Sequence, residues 1–477
     1  KALRQTTTGG YNVAVGFYAL EANTTGGYNV AVGSYALDAN TTGAKNVALG
    51  HGALSDNTTG SYNIAVGENC LADNTTADYN IAMGMDALRN NTTGNYNTAI
   101  GEGACSASTT TSGNTAVGHR ALFDNTGTEN TAFGGYAGQN LTTGSHNCAF
   151  GYTALNACTT NDYNTAIGKE SLYTCTSDAN TVLGWRAGFQ ITTGGQNTCI
   201  GYKAGYTDST ASQNTFVGYR AGQDSNASDV TYIGYDAGLH ATGSSNTALG
   251  HRAMDDSNCT GAQNTAIGRE TLGNCESGQQ NTALGYMAGY GLTTGSYNTF
   301  LGDSAGSSQT TGNDSVYIGR QCPENVGTNG EVMIYNGTNT ARFQGSGTSW
   351  SITSDGRDKT DYQDLGLGIE FLKKIKPRQF KWNWREGSKE GNGTIRAGFI
   401  AQEVLEACDS EGLSRTPEDS IASNKVYPGV VDITNPDKYQ VAAGDFVPML
   451  IKAVQELSAQ NDALAAEVAS LKSQINN

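Results

Sequence analysis

Basic residues, proline and long apolar runs are scarce in this sequence, and each scarcity excludes a class of protein. Charged residues make up 15% of the 477 residues, and Lys and Arg are outnumbered 28 to 44 by Asp and Glu. A typical disordered chain is more highly charged, and a nucleic-acid-binding protein needs clustered basic residues. No apolar run approaches the length of a bilayer span, and no secretion signal opens the chain. We therefore expect neither a nucleic-acid partner nor membrane insertion.

Metal-binding and disulfide patterns are also missing among the ten cysteines. No Cys-Xaa-Xaa-Cys or Cys/His spacing is present, so the sequence predicts no metal site and no cofactor. Cys70 and Cys105 stand where other repeats have alanine and leucine, which favours small buried side chains over a disulfide framework. Cys158 and Cys175 share one position of the repeat and are expected to stack as neighbours.

Glycine, in contrast, is abundant and periodic. It recurs nineteen times at steps of 16, 17 or 18 residues, and we call these residues the coil glycines. Around them the same frame returns, with Asn four residues before in all copies except those with Val230 and Ser315, a small or apolar pair just before, and commonly Ala three residues after. The coil glycines are Gly16, Gly33, Gly50, Gly67, Gly84, Gly101, Gly118, Gly134, Gly151, Gly168, Gly184, Gly201, Gly218, Gly234, Gly250, Gly268, Gly285, Gly302 and Gly319.

A copy this short cannot hold its own core, and it shows no helical periodicity. Each copy has a short apolar stretch between turn residues, so it is expected to form a strand with turns. Stacked copies can bury their apolar pairs between coils, which predicts a mainly β fold with a β-solenoid or β-roll over residues 1–319. The coil glycine is expected to supply a positive φ or room for a neighbouring backbone, and the recurring Asn to form a ladder or cap a turn.

The repeat frame resembles the heads of trimeric autotransporter adhesins and the repetitive shafts of bacteriophage tail fibres. In both families the resemblance implies a trimer of β-rolls. Ala2 and Leu3 precede Asn12 as Ala19 and Leu20 precede Asn29, so the chain is expected to begin partway through a coil. A preceding segment that attaches the rod to upstream phage tail components is then expected outside this sequence.

After Gly319 the repeat register is expected to end. Residues 331–335 and 340–343 are predicted strands joined by Asn336-Gly337, a hairpin signal, within a β-rich neck over residues 320–353. A globular α+β unit is predicted over residues 354–477 because composition changes sharply there. In it Ile369, Leu372 and Ile375 form a helical face before Pro377, and Phe380, Trp382 and Trp384 alternate as in a strand.

The last thirty residues carry the strongest helical pattern of the chain. Apolar residues and one Asn alternate at spacings of four and three, which predicts a coiled coil over residues 447–475. The β-branched residues and single Asn at one core position favour two strands. The seam consists of Leu450, Val454, Leu457, Asn461, Leu464, Val468, Leu471 and Ile475.

Ser354-Asp355-Gly356-Arg357-Asp358-Lys359 lies where the chain changes character, with a hydroxyl five residues before a lysine. Together with three later blocks it resembles the intramolecular chaperone auto-processing domain that ends phage tail spikes and fibres, including endosialidases. The blocks follow in the same order and cover most of the unit. The later blocks are Leu372–Trp382, Gly398–Val404 and Phe446–Leu457.

This resemblance implies a domain that trimerises, helps the preceding β-structure fold in register, and then cuts itself off. It assigns the nucleophile to Ser354 and the catalytic lysine to Lys359, with cleavage between Thr353 and Ser354. The chemistry is reasonable, because a serine hydroxyl needs a base and a buried amine can serve as one when its pKa falls. Further candidates for orienting the loop are Asp355, Arg357 and Asp358.

The sequence therefore predicts a homotrimeric phage tail fibre, made in the host cytoplasm and carried on the virion. Its rod would bind a bacterial surface receptor, either a glycan or an outer-surface protein, and its one enzymatic step would be autoproteolysis. A polysaccharide-degrading tail spike is the first alternative, although the even repeat leaves no insertion for a two-carboxylate cleft. An ice-binding solenoid is the second, because Thr98, Thr115 and Thr131 recur once per coil, although the adjacent Thr-Thr pairs point to opposite faces.

Overall fold

Two compact units make up the chain, residues Lys1–Thr353 and Ser354–Asn477. The protein is described from a computed structural model. The residues described are 2–255, 259–322, 329–338, 340–344, 351–352, 368–381, 395–410, 431–432, 440–441 and 446–475.

The first unit is a β-solenoid in which each coil contributes one three-residue strand. Each strand pairs in parallel with the strand of the next coil, and equivalent residues lie side by side, as in Val13 with Val30. The predicted fold class is therefore confirmed. The strands are β1 Val13–Val15, β2 Val30–Val32, β3 Val47–Leu49, β4 Ile64–Val66, β5 Ile81–Met83, β6 Thr98–Ile100, β7 Thr115–Val117, β8 Thr131–Phe133, β9 Cys148–Phe150, β10 Thr165–Ile167, β11 Thr181–Leu183, β12 Thr198–Ile200, β13 Thr215–Val217, β14 Thr231–Ile233, β15 Thr247–Leu249, β16 Thr265–Ile267, β17 Thr282–Leu284, β18 Thr299–Leu301 and β19 Val316–Ile318.

The coil glycines follow the strands directly and meet both expectations for them. Their φ angles lie between 120° and 144°, a region that side chains of L-residues rarely enter. Neighbouring coils also approach closely at this point, because a Cβ built on Gly134 would lie 2.6 Å from the carbonyl oxygen of Gly151. Glycine is therefore required at this position for two independent reasons.

The interior is formed by the middle residue of each strand, not by the apolar pair that the sequence pattern predicted. In β4, Ala65 is fully buried, whereas Ile64 is 37% exposed and Val66 is half-buried. Successive side chains of a strand point to opposite faces, so two adjacent apolar residues cannot both enter the core. The other residue of each pair therefore lies on the outer face.

In many coils, two positions of the interior compensate each other in volume. Nine of the nineteen coils pair a central alanine with a leucine six residues later, as in Ala14 and Leu20. Three coils with an aromatic central residue have glycine at the later position, and their pairs are Phe216 with Gly222, Tyr232 with Gly238 and Phe300 with Gly306. A Cβ on Gly222 would overlap the Phe216 ring. In both kinds of coil, one large side chain thus occupies the same interior space.

The recurring asparagine forms the predicted ladder. The backbone N–H of Asn29 donates to Oδ1 of Asn12 across 2.8 Å, and the Asn29 side-chain amide donates to the carbonyl of Gly43. Val230 interrupts this ladder, because it has no side-chain acceptor to offer the following coil. Ser315 continues it through its hydroxyl, which accepts from the N–H of Glu331 at 3.2 Å.

The solenoid continues past Gly319, where the register was expected to end. Strand β20 (Glu331–Tyr335) pairs in parallel with β19, and Met333 takes the buried central position. Glu331 and Tyr335 replace the Asn and Gly that mark other coils, which hid this coil from the sequence pattern. The predicted hairpin is confirmed, since β21 (Thr340–Gln344) pairs antiparallel with β20. Strand β22 (Ser351–Ile352) then pairs with β21.

The second unit contains short elements and one long helix. Helix α1 ends at Lys374, and Ile375 is already extended, because a residue close before Pro377 is disfavoured in a helix. Among the described helices, none has the length and hydropathy of a membrane span. The elements are α1 Ile369–Lys374, β23 Arg378–Lys381, β24 Ile395–Gly398, α2 Ala401–Ser410, β25 Val431–Asp432, β26 Gln440–Val441 and α3 Phe446–Ile475.

Candidate functional site

The predicted self-cleavage residues all lie outside the described part of the chain. Their roles therefore stay predictions. These residues are Thr353, Ser354, Asp355, Arg357, Asp358 and Lys359. Trp382 and Trp384, expected in a strand, also lie outside the described residues, and β23 ends at Lys381.

The first described element after this motif is α1, and it is attached to the long helix α3. The backbone N–H of Ile369 donates to Oε2 of Glu456 across 2.8 Å. A carboxylate at a helix N-terminus accepts from N–H groups that have no partner within the helix. Two segments far apart in sequence are thus joined at the point where α1 begins.

A small core holds this part of the second unit together. The ring of Phe399 packs on Phe446 at a centroid distance of 4.8 Å. Of the predicted face, Ile375 is buried and Ile369 and Leu372 are half-buried, while Phe371, outside that face, is buried as well. The other buried hydrophobic residues described here are Val404, Ala407, Cys408, Phe446, Met449 and Ala453.

Helix α3 is packed only near its start. Phe446, Met449 and Ala453 are buried, whereas every described residue from Leu457 to Ile475 is exposed. The apolar seam residues are between 42% and 81% exposed. A helix that presents an apolar stripe over this length is typical of a helix that associates with others.

A second exposed apolar surface runs along the solenoid, and we call it the outer row. It consists of the third residue of each strand from β1 to β19, and all nineteen are apolar and exposed or half-buried. In-register pairing places them one above another. The most exposed members are Val15, Leu49, Met83, Phe133, Phe150, Leu183, Leu249, Leu284 and Leu301.

A row of stacked aromatic rings lies one residue after the coil glycine in five successive coils. Neighbouring ring centroids are 4.8 to 5.1 Å apart. At its end lies a cleft of about 590 Å³ that contains Arg220, Asp236 and Asp255. Nε of Arg220 donates to Oδ1 of Asp236 at 2.8 Å. The stacked rings are Trp185, Tyr202, Tyr219, Tyr235 and His251.

One carboxyl group is buried inside the solenoid. Burial raises the pKa of Asp208 to about 7, although the Nδ2 donor of Asn214, 3.0 Å from its Oδ2, acts in the opposite direction. Its other oxygen is buried without a hydrogen-bond partner. Asp208 therefore stands where an ionised carboxylate is unfavourable.

Comparison with known proteins identifies the start of the second unit. Residues 354–413 match the family described as chaperone of endosialidase. No curated protein and no solved structure matches the chain. The second unit therefore opens with a domain similar to this chaperone, and the match begins at Ser354.

Sequence reasoning missed the outer row, although the signal was present. A large apolar residue immediately before each coil glycine, two residues after another outward position, obeys the period of two that strands impose. The assumption that apolar residues are buried concealed it. The exposed apolar surface is informative because soluble monomers rarely present one this long.

Proposed function

We propose that the chain is a homotrimeric phage tail fibre whose C-terminal unit assembles the trimer and is then released by self-cleavage. The observation that carries this proposal is the chaperone-of-endosialidase match, which begins at Ser354. The chain divides into its two compact units between Thr353 and Ser354. Cleavage at this bond would separate the solenoid from its assembly domain without cutting through either.

The proposed reaction is a single turnover on the chain's own backbone. Neutral Lys359 takes the proton of the Ser354 hydroxyl, and Oγ attacks the carbonyl carbon of Thr353. The peptide C–N bond breaks, and the amine of Ser354 leaves with a proton. Water then opens the ester between the Thr353 acyl group and Oγ, which gives a carboxylate at Thr353 and restores the serine hydroxyl.

Two exposed surfaces support association with further copies of the same chain. The α3 seam supplies apolar side chains at heptad spacing, and the outer row supplies them along the solenoid. Copies aligned in parallel would bring equivalent rows together over their whole length. We propose three copies because the adhesin and tail-fibre repeats that this chain resembles are trimeric, although the Asn461 position alone favours two strands.

The rod is the proposed receptor-binding part of the fibre, and the receptor is proposed to be a bacterial surface glycan or protein. The stacked rings from Trp185 to His251 are a candidate contact, since aromatic edges and ion-paired Arg and Asp residues offer both apolar and polar contacts. The side chains on the outer face of the strands favour association with other copies over ice binding. Beside the threonines of β6 to β8, the outer row supplies Ile100, Val117 and Phe133 instead of a second threonine row.

The proposal is tested by producing the chain beside Ser354→Ala and the control Ser351→Ala. We expect the parent and the control to yield two fragments, Lys1–Thr353 and Ser354–Asn477, on a denaturing gel and by intact mass. Ser354→Ala should remain a single chain. Native mass spectrometry should give three copies of the solenoid fragment. An uncut parent chain would contradict the self-cleavage, and a monomeric solenoid would contradict the assembly.

A further inference from the structure

Two thiols from neighbouring coils touch inside the solenoid. Sγ of Cys259 lies 2.8 Å from Sγ of Cys275, and the two share a hydrogen bond. Both side chains are buried, and they are not joined by a disulfide. Their position in the coil, usually the seventh residue after the coil glycine, is here called the inner slot.

The inner slot is a ladder of stacked polar groups in the first coils. Asn23, Asn40, Asn57, Asn74 and Asn91 occupy it, and each amide after the first donates to the preceding Oδ1 at 2.7 to 3.1 Å. Residues at the inner slot of adjacent coils are therefore close enough for direct side-chain bonds. This closeness is built into the coil and does not depend on the residue type.

A second cysteine pair occupies the same slot. Cys158 and Cys175 are both buried, and the neighbouring Cys158 thiol lowers the pKa of Cys175. Four cysteines thus fall at the inner slot, and each has a cysteine in an adjacent coil. The remaining slot residues after Asn91 are Ser108, Asn125, Leu141, Ile191, Asp208, Ser225, Ala241, Leu292 and Gln309.

We infer that Cys259 with Cys275, and Cys158 with Cys175, are modification sites at which oxidation by a peroxide forms disulfides between adjacent coils. One thiolate attacks hydrogen peroxide, so that an O–O bond breaks, a sulfenic acid forms and hydroxide leaves. The neighbouring thiol then attacks the sulfenic sulfur, the S–S bond forms and the second oxygen leaves as water. In all, two thiols and one peroxide give one disulfide and two waters.

The geometry favours a disulfide over a bound metal ion. Equivalent residues of paired strands lie one strand spacing apart, roughly 4.8 Å, which is inside the Cα separation that a disulfide tolerates. Two thiolates on one zinc ion, each about 2.3 Å from the metal, would stand farther apart than 2.8 Å. The hydrogen bond from its neighbour also lowers the pKa of Cys259, and the same holds for Cys175.

Such bonds would fasten neighbouring coils together. Cys259 and Cys275 are 16 residues apart, so the bond closes a loop of one coil and restricts the unfolded chain. The thiols would stay reduced in a cytoplasm and oxidise afterwards in an oxidising medium. This inference needs no part of the proposed self-cleavage or receptor binding.

The test treats the purified full chain with hydrogen peroxide, quenches it with catalase, alkylates it under denaturing conditions and digests it with trypsin without reduction. Cleavage after Arg252, Arg269 and Arg320 leaves Cys259 and Cys275 on separate peptides with no other cysteine. We expect these two peptides to become cross-linked. The peptide carrying Cys175 should likewise be cross-linked to the one carrying Cys158, with fragmentation separating Cys158 from Cys148.

Cys105 and Cys199 are the internal controls, since both are buried and neither lies in the inner slot. They should remain alkylated. The oxidised chain should melt at a higher temperature than the reduced chain, and Cys259→Ala/Cys158→Ala should remove that difference. The inference is overturned if Cys105 and Cys199 are oxidised while neither pair is linked, or if the links join cysteines at random.

Discussion

The solenoid and the C-terminal unit differ in how far they bury their apolar residues within the chain. In the solenoid, each coil buries its central strand residue against two neighbours of the same chain, and repeats of this kind gain stability from each added interface. In the C-terminal unit, the described core is small, and every described residue of α3 from Leu457 to Ile475 is exposed. A repeat supplies its own partners, whereas the exposed α3 seam is the surface through which we propose that copies associate.

The largest expected effect concerns association through the α3 seam. Leu457→Asp places a charge in the α3 seam, and burying it between helices is unfavourable. We expect the proposed trimer not to form and the chain to be recovered as monomer or aggregate, as measured by native mass spectrometry. Ala459→Asp is the control, because residue 459 lies outside the seam. If Leu457→Asp formed trimers in the same yield as the parent chain, α3 would not direct assembly.

The next effect concerns the compensation inside the solenoid. Phe216→Ala should lower the free energy of unfolding by about 3–5 kcal/mol, since it leaves a cavity between coils. Gly222→Leu alone should also destabilise, because its side chain would overlap the Phe216 ring. The double variant reproduces the alanine and leucine found in nine coils and should recover most of the loss in chemical denaturation. Additive losses would contradict the compensation.

The sequence predicted much of the solenoid because its constraints are local. Glycine marks a backbone that side chains cannot adopt, and the recurring Asn marks a ladder, so both could be recognised from their spacing. The coil of β20 could not be recognised, because Glu331 and Tyr335 occupy those marker positions and the structure tolerates them at the end of the ladder. Elsewhere, Leu20 adopts a φ of 53°, which only its neighbours in the folded coil impose.

The C-terminal unit was predicted less completely, for a related physical reason. Helix α3 follows from heptad spacing, but the face that α1 buries depends on which segments meet it. Glu456 reaches the start of α1 from far along the chain, and no local pattern indicates that contact. The Ser354 and Lys359 pair lies outside the described residues, so its assignment rests on sequence resemblance.

The buried carboxyl gives a pH-dependent test of the solenoid. The pKa of Asp208 is raised from 3.8 to about 7 in the folded chain, so folding favours the protonated form. The stabilisation contributed by Asp208 is fully present below the pKa of the unfolded chain, 3.8. It is lost as the pH rises through the folded-state pKa of about 7. We expect roughly 4 kcal/mol of unfolding free energy to disappear over this window.

Asp208→Asn should remove this pH dependence, because an amide side chain does not ionise. The variant should be tolerated, because asparagine already occupies the inner slot in several coils. Chemical denaturation at several pH values measures it, with Asp229→Asn as an exposed control. An equally steep loss of stability with rising pH in Asp208→Asn would show that other groups are responsible.

Adjacent glycines allow a smaller and sharply controlled comparison. Gly134→Ala should cost about 2–3 kcal/mol, since its φ is 138° and the new Cβ would press on the Gly151 carbonyl. Gly135→Ala should be nearly neutral, because its Cβ would lie 3.5 Å from the Tyr152 ring, an ordinary contact. Thermal unfolding of the two variants at one protein concentration measures the difference, and equal losses would contradict a special role for the coil glycine.

The smallest expected effect concerns an exposed ion pair in the C-terminal unit. Arg378 on β23 donates to Glu403 on α2, with an Nε to Oε2 distance of 2.8 Å, and this partner lowers the pKa of Glu403. Both side chains reach solvent, where water and salt weaken such a pair. Arg378→Gln should therefore leave the denaturation midpoint of a Ser354–Asn477 fragment unchanged within error, at low and at high salt. A clear loss at low salt that vanishes at high salt would show that this unit depends on its surface charges.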